Sequence, residues 1–99
     1  MRVRWSRAAR DDAEAIWEFY AEHDVELARR VLRETLSAIG RLEDHPRVGR
    51  PGIVDGTREL VVLGLPHVVI YEIVEREVRI LRVHDGRSNW KIAPKPRTD

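Results

Sequence analysis

The stretch VHDGRSNW, Val83–Trp90, sets His84, Asp85, Arg87 and Trp90 close together just past the last apolar run. A histidine beside an aspartate is the material of general acid–base chemistry, and arginine presents a planar fork to phosphate or carboxylate. Arg82 and Arg58 could join such a group, and Arg47 and Arg50 in PRVGRPG offer two more guanidinium groups to an anion. A catalytic cluster, a nucleic-acid contact and the plain end of a strand all fit these residues. Spacing decides part of the matter. In a strand, period two puts His84 and Arg82 on one face and turns Asp85 away, which disfavours a tight His–Asp dyad. Arg87 and Trp90 are more simply read as fixing the strand end, or as meeting a target through charge and stacking. Tyr71 lies mid-strand among aliphatics and reads as core. The four histidines, His23, His45, His67 and His84, lack ligand spacing such as i, i+4, so no metal and no cofactor is expected.

Whatever these side chains do, a thin core has to position them. Ninety-nine residues make one domain, with 42% hydrophobic and 35% charged residues. The net charge of +1 gives no whole-protein attraction to nucleic acid or membrane. The stretch from Glu77 to Asp99 is nonetheless mildly basic: Arg79, Arg82, Arg87, Lys91, Lys95 and Arg97 face only Glu77, Asp85 and Asp99. With no cysteine there is no disulfide frame and no thiolate chemistry. The start, MRVRWSRAARDDAEAIW, carries charges throughout and does not read as a signal peptide, and no apolar run approaches the ~20 residues that span a bilayer. The expectation is a soluble, cytoplasmic protein with no membrane role.

Along the chain, VRW reads as a short strand and Ser6 as the N-cap of a helix, with Asp11 and Asp12 near its positive end. Ala9, Ala13, Ile16, Trp17 and Tyr20 form that helix's apolar face, beneath which Trp5 is expected to pack. Asp24 caps a second helix, whose Ala28, Val31, Leu32, Thr35, Leu36, Ile39 and Leu42 repeat the pattern up to the stop at Pro46. HPRVGRPG reads as loop. Three strands follow, TRELVVLG, HVVIYEIV and EVRILRVH, with turns at Gly64–Pro66 and at ERE. The order β-α-α-β-β-β predicts an α+β fold: an N-terminal strand, an antiparallel helical hairpin, then a three-stranded antiparallel meander. Residues 1–90 form the domain, and 91–99 are a basic, proline-containing tail.

LVVL and HVVIYEI are apolar on both sides, whereas two helices cover one face of such a sheet. Leu60, Val62, Val68 and Ile70 are therefore expected on a face left open. At about 1.5–3 kcal/mol per buried side chain, that face calls for a second polypeptide.

The stretches HPRVGRPG, TRELVVLGLPHVVIYEI and VRILRVHDGRSNW, behind a helical hairpin, resemble the RelE/ParE family of toxins from type II toxin–antitoxin systems. The match runs from Val3 to Trp90, and the three stretches in this order are specific to the family. The resemblance implies a toxin neutralised by a cognate antitoxin that folds onto it in a hetero-oligomer, with Leu60, Val62, Val68 and Ile70 as candidate antitoxin contacts. It implies no sequence-specific DNA binding by the toxin itself.

Members of the RelE-like branch cut messenger RNA on the ribosome with converging basic side chains and commonly a tyrosine near the C-terminus. Here the matching positions hold Glu59 and Val61 on one strand and Val68 on the next. Arg87 persists, and the following aromatic is Trp90, which is neither acid nor base. The chain therefore looks ParE-like, a branch whose characterised members include inhibitors that trap DNA gyrase. Arg82, Arg87 and Trp90 are its candidate target contacts. The enzymatic alternative is a ribosome-dependent endonuclease using Arg50, Arg58, Arg82, His84 and Arg87. A stand-alone RNA-binding domain is a third class, disfavoured by the balanced charge and the lack of an aromatic stacking stripe.

Overall fold

The computed structural model describes residues 1–85. Arg87, Trp90 and the tail 91–99 lie outside the described residues. The chain opens with strand β1 (Arg2–Trp5) and turns at Ser6 into helix α1 (Arg7–Ala21). The Ser6 hydroxyl accepts the Ala9 N–H at 3.0 Å, as the capping pattern predicts. Asp24 caps α2 (Val25–Gly40), its Oδ1 accepting the N–H groups of Glu26 and Leu27 at 3.0 and 3.2 Å. Ala28, Val31, Thr35, Ala38 and Ile39 are the buried stripe of α2. Only Ala9 is fully buried on α1, so that helix lies closer to the surface. The second helix ends at Gly40, two residues before Leu42, and a 3-10 turn over Arg41–Glu43 carries Leu42 into the core.

The sheet has five strands rather than four. Within the segment read as loop, β2 (Arg50–Pro51) pairs with β3 (Arg58–Val61), followed by β4 (His67–Val74) and β5 (Glu77–Asp85), in the order β1-β5-β4-β3-β2. The β1–β5 pair is parallel and every other pair antiparallel. Two residues are too few to show a period, which is why β2 escaped the pattern.

Register assigns the two sheet faces. Val69, Tyr71 and Ile73 of β4, Val78, Ile80 and Val83 of β5, Leu60 of β3 and Val62 just past its end join Ala9, Ala38, Ile39 and Leu42 in the main core. Leu60 and Val62 thus belong to the helix-side core, which corrects the expectation that they lie on an open face. Val68 and Ile70 do point to the other face, yet they are only 8% and 1% exposed, against 42% for Val61 beside them. The expectation of an uncovered apolar face at these positions is not met. Apolar runs identify strands buried on both sides, but they do not say what does the burying.

The β4–β5 ladder contains one extra residue. Ile70 pairs with Arg82 and Tyr71 with Ile80, leaving Leu81 as a bulge. Between the same strands, Glu75 (φ 50°) and Arg76 (φ 66°) form a two-residue turn in left-handed backbone. That conformation matches the right-handed twist of the hairpin but favours Asn-Gly over Glu-Arg. The double substitution Glu75→Asn, Arg76→Gly is expected to stabilise the fold by about 1 kcal/mol, by relieving two side chains of φ > 0. Urea denaturation will show this as a raised midpoint with an unchanged slope.

Candidate functional site

The loop from His45 to Thr57 is built around one phenol. Tyr71, fully buried on β4, donates its hydroxyl hydrogen to the Pro46 carbonyl at 2.7 Å and accepts the Gly49 N–H at 2.9 Å. A Cβ on Gly49 would lie 2.6 Å from the Tyr71 hydroxyl oxygen and 2.9 Å from the Glu59 carbonyl, so only glycine lets the loop approach. Arg58 closes the arrangement: its Nη1 donates to the carbonyls of Gly49 at 2.7 Å and Arg47 at 3.2 Å. The Glu59 side chain, 6% exposed, accepts two hydrogen bonds from Arg50 on one oxygen, at 2.9 and 3.1 Å, and the Ile53 N–H on the other at 3.3 Å. The loop is thereby tied to the sheet through side chains at Pro46, Gly49, Arg50 and Ile53.

A second cluster joins α1 to the free edge of β5. β1 pairs only with Glu77–Ile80, so among the described residues the rest of β5 has no strand on the edge away from β4. Ser6 donates its backbone N–H to Ile80 and its hydroxyl to the Leu81 carbonyl, both at 3.0 Å. Asp12 then accepts the Val83 N–H at 2.9 Å and a two-pronged contact from Arg82 at 2.7 and 2.8 Å. Sequence reading gave Asp12 to the helix dipole; its partners are a strand edge and an arginine seventy residues away. Carboxylate pairing is also the leading reason the Arg82 guanidinium is held above its usual value. His84, by contrast, is pushed below 6.5, first by burial and next by the Arg82 charge, with Asp12 opposing.

Among the described residues the nuclease candidates do not converge. The cross-strand row Arg50–Glu59–Ile70–Arg82 spans the sheet, which puts the two arginine backbones three strand spacings apart, roughly 14 Å at about 4.8 Å each. His84 lies in the next row, opposite Val68, and Arg58 points to the helix-side face with Tyr71. Arg50, Arg58 and Arg82 each hold a partner within this chain. Arg87 and Trp90 lie outside the described residues. Among the described residues no group of three or more His, Asp or Glu side chains is arranged to hold a metal ion, and no helix is long and apolar enough to cross a membrane. Sequence reading missed the roles of Tyr71, Asp12 and Glu59. The best available clue was Glu59, a carboxylate directly before the apolar run Leu60–Leu63.

Removing one partner of either cluster exposes its contribution. Asp12→Ala strands the Val83 N–H and the partly buried Arg82 charge, and is expected to cost about 1–3 kcal/mol. Denaturant unfolding measures the loss, and faster amide exchange at Val83 localises it. Tyr71 has its hydroxyl held above the ordinary value of 10.0, chiefly by burial. The folded state therefore favours the neutral phenol: this stability is complete below pH 10 and declines as pH rises beyond it. Tyr71→Phe is expected to lower stability by about 1–3 kcal/mol at pH 7, because the Gly49 N–H loses its acceptor. It should also flatten the alkaline decline, so wild-type and variant midpoints approach each other above pH 10.

Comparison with known proteins places this arrangement. Residues 3–90 match the family model described as the ParE toxin of the type II toxin–antitoxin system parDE. Y4kP of Sinorhizobium fredii (strain NBRC 101917 / NGR234), a protein named as a candidate toxin, is 34% identical over 89 residues, 90% of this chain and 92% of that one. A chain in a solved structure of a chromosomal ParDE toxin–antitoxin system from P. aeruginosa superposes with a TM-score of 0.79 at 26% identity, covering 86% of this chain and 95% of that chain. The strand, helical hairpin and antiparallel sheet described above are thus shared with a solved relative. This chain belongs to the ParE toxin family, as the toxin component of a type II toxin–antitoxin system with a cognate antitoxin for its partner.

Proposed function

We propose that this toxin arrests growth by binding an essential target, DNA gyrase, and that the antitoxin relieves the block by folding onto it. The observation that carries this reading is the commitment of the cations. Cutting RNA at a phosphate requires charged and acid–base groups aimed together at one anion. In the described residues Arg50 binds Glu59, Arg58 binds loop carbonyls and Arg82 binds Asp12. Where RelE-like toxins carry lysines and an arginine, this chain has a buried carboxylate, Glu59, and the side chains of Val61 and Val68. Tyr71 supports the same view, since its hydroxyl is neutral and already bonded on both sides. Arg87 and Trp90, with Arg82, are the proposed target contacts, acting by charge and stacking rather than by bond cleavage.

The reading is tested by incubating purified toxin with gyrase, ATP and supercoiled plasmid. Linear plasmid covalently held by gyrase should accumulate, and prior addition of the antitoxin should suppress it. Cleavage of ribosome-bound message by toxin that leaves gyrase turnover untouched would establish the endonuclease instead.

A further inference from the structure

Arg47 of the His45–Thr57 loop and Arg58 at the start of β3 border a space that has no acid among its described lining residues. A pocket of about 330 Å³ is lined by Arg47, Pro51, Gly56, Thr57, Arg58 and Ile73. Arg58 is already fixed there, because its Nη1 is held by the two loop carbonyls, and its other guanidinium nitrogens make no hydrogen bond within the described residues. Arg47 is exposed, and among the described residues its guanidinium makes neither an ion pair nor a hydrogen bond. The nearest carboxylates in sequence lie elsewhere: Glu59 faces the opposite side of the sheet with Arg50, and Asp55 is not part of the pocket wall. Fixing an arginine in advance removes the side-chain ordering cost of gripping a carboxylate with its fork.

The surroundings narrow the ligand. Arg47 also borders a second depression, of about 370 Å³, with His45, Pro46 and Val48. Val48 and Ile53, on the same loop, are 60% and 64% exposed. A polyanion such as nucleic acid calls for a track of cations, whereas these are two arginines set among proline and aliphatic side chains. A carboxylate flanked by apolar residues satisfies both features at once.

We infer that the pocket bordered by Arg47 and Arg58 receives an aspartate or glutamate side chain from an acidic, apolar-flanked peptide segment of the antitoxin. The inference rests on the toxin–antitoxin reading for the source of the segment, and on the pocket alone for its chemistry. Arg47 is the residue to change. Among the described residues its guanidinium supports nothing in the fold, whereas removing Arg58 would release the loop.

Arg47→Glu should leave the urea midpoint unchanged and weaken antitoxin binding at least tenfold, with a Lys in place of one antitoxin acid restoring it. Equal affinity of wild type and Arg47→Glu overturns the inference while the toxin–antitoxin reading stands. Wild-type chain that binds no antitoxin overturns the reading instead, and a second measurement then decides on the pocket. Acetyl-Ile-Glu-Leu-amide, followed through the arginine Nε–Hε NMR signals, should shift Arg47 and Arg58 saturably, and its Gln analogue should not. No shift with the Glu peptide overturns the pocket. So does an equal or larger shift with inorganic phosphate or a short DNA duplex, since the site would then select phosphate rather than a peptide carboxylate.

Discussion

The aliphatic side chains Val48 and Ile53 of the loop between the helical hairpin and the meander are exposed, and one buried hydroxyl gives the loop its shape. Tyr71 reaches it from the centre of the sheet and satisfies a carbonyl and an N–H three residues apart, at Pro46 and Gly49. Each bond contributes only about 1 kcal/mol net, but a buried donor or acceptor left without its mate costs more than that. The loop therefore stays down largely because lifting it would strand polar groups. Everything nearby depends on this placement: Gly49 has no room for a side chain, Arg58 finds its carbonyls, and Arg50 comes into register with Glu59.

The same economy of polar groups bears on function. A chain with many arginines can look like a phosphate enzyme when read linearly, yet folding spends the arginines on structural partners. Arg82 and Asp12 fasten a helix to a strand edge; Arg50 and Glu59 fasten a two-residue strand to its neighbour. Charges held this way have poor freedom to follow a reacting phosphate, whereas the exposed loop side chains around Arg47 are placed for recognition. On the function proposed above, this surface recognises proteins rather than performing chemistry on a nucleic acid.

Much of the fold was legible beforehand because the signals are local. Ser6 and Asp24 cap helices through side chains two or three residues away, and the α2 stripe from Ala28 to Ile39 repeats every three or four positions. Three strands declared themselves by apolar, β-branched runs. What stayed hidden was set by distant partners. Nothing around Asp12 announces Arg82, and nothing in VGRPG announces that Arg50 and Pro51 will pair with Glu59 and Arg58. The turn at Glu75–Arg76 was located without its usual residues, because the apolar runs on either side bounded it. The placement of Leu60 and Val62 went wrong for a related reason: alternation is silent when both faces of a strand are apolar, so a face has to be assigned by register.

Leu81 shows how a single extra residue links these levels. Strict alternation along VRILRVHD would put Ile80, Arg82 and His84 on one face, sending a charge into the helix-side core or an isoleucine out of it. The bulge resolves the conflict. It keeps Val78, Ile80 and Val83 toward the helices and turns Arg82 and His84 to the other side, opposite Ile70 and Val68. It also coincides with the end of β1, where the Leu81 carbonyl meets the Ser6 hydroxyl and the Val83 N–H meets Asp12. The adjacent pair Ile80–Leu81 in an otherwise alternating segment is the sequence trace of this bulge. With it in place, the arginine that looked catalytic in the linear sequence becomes the one that binds α1 to the sheet.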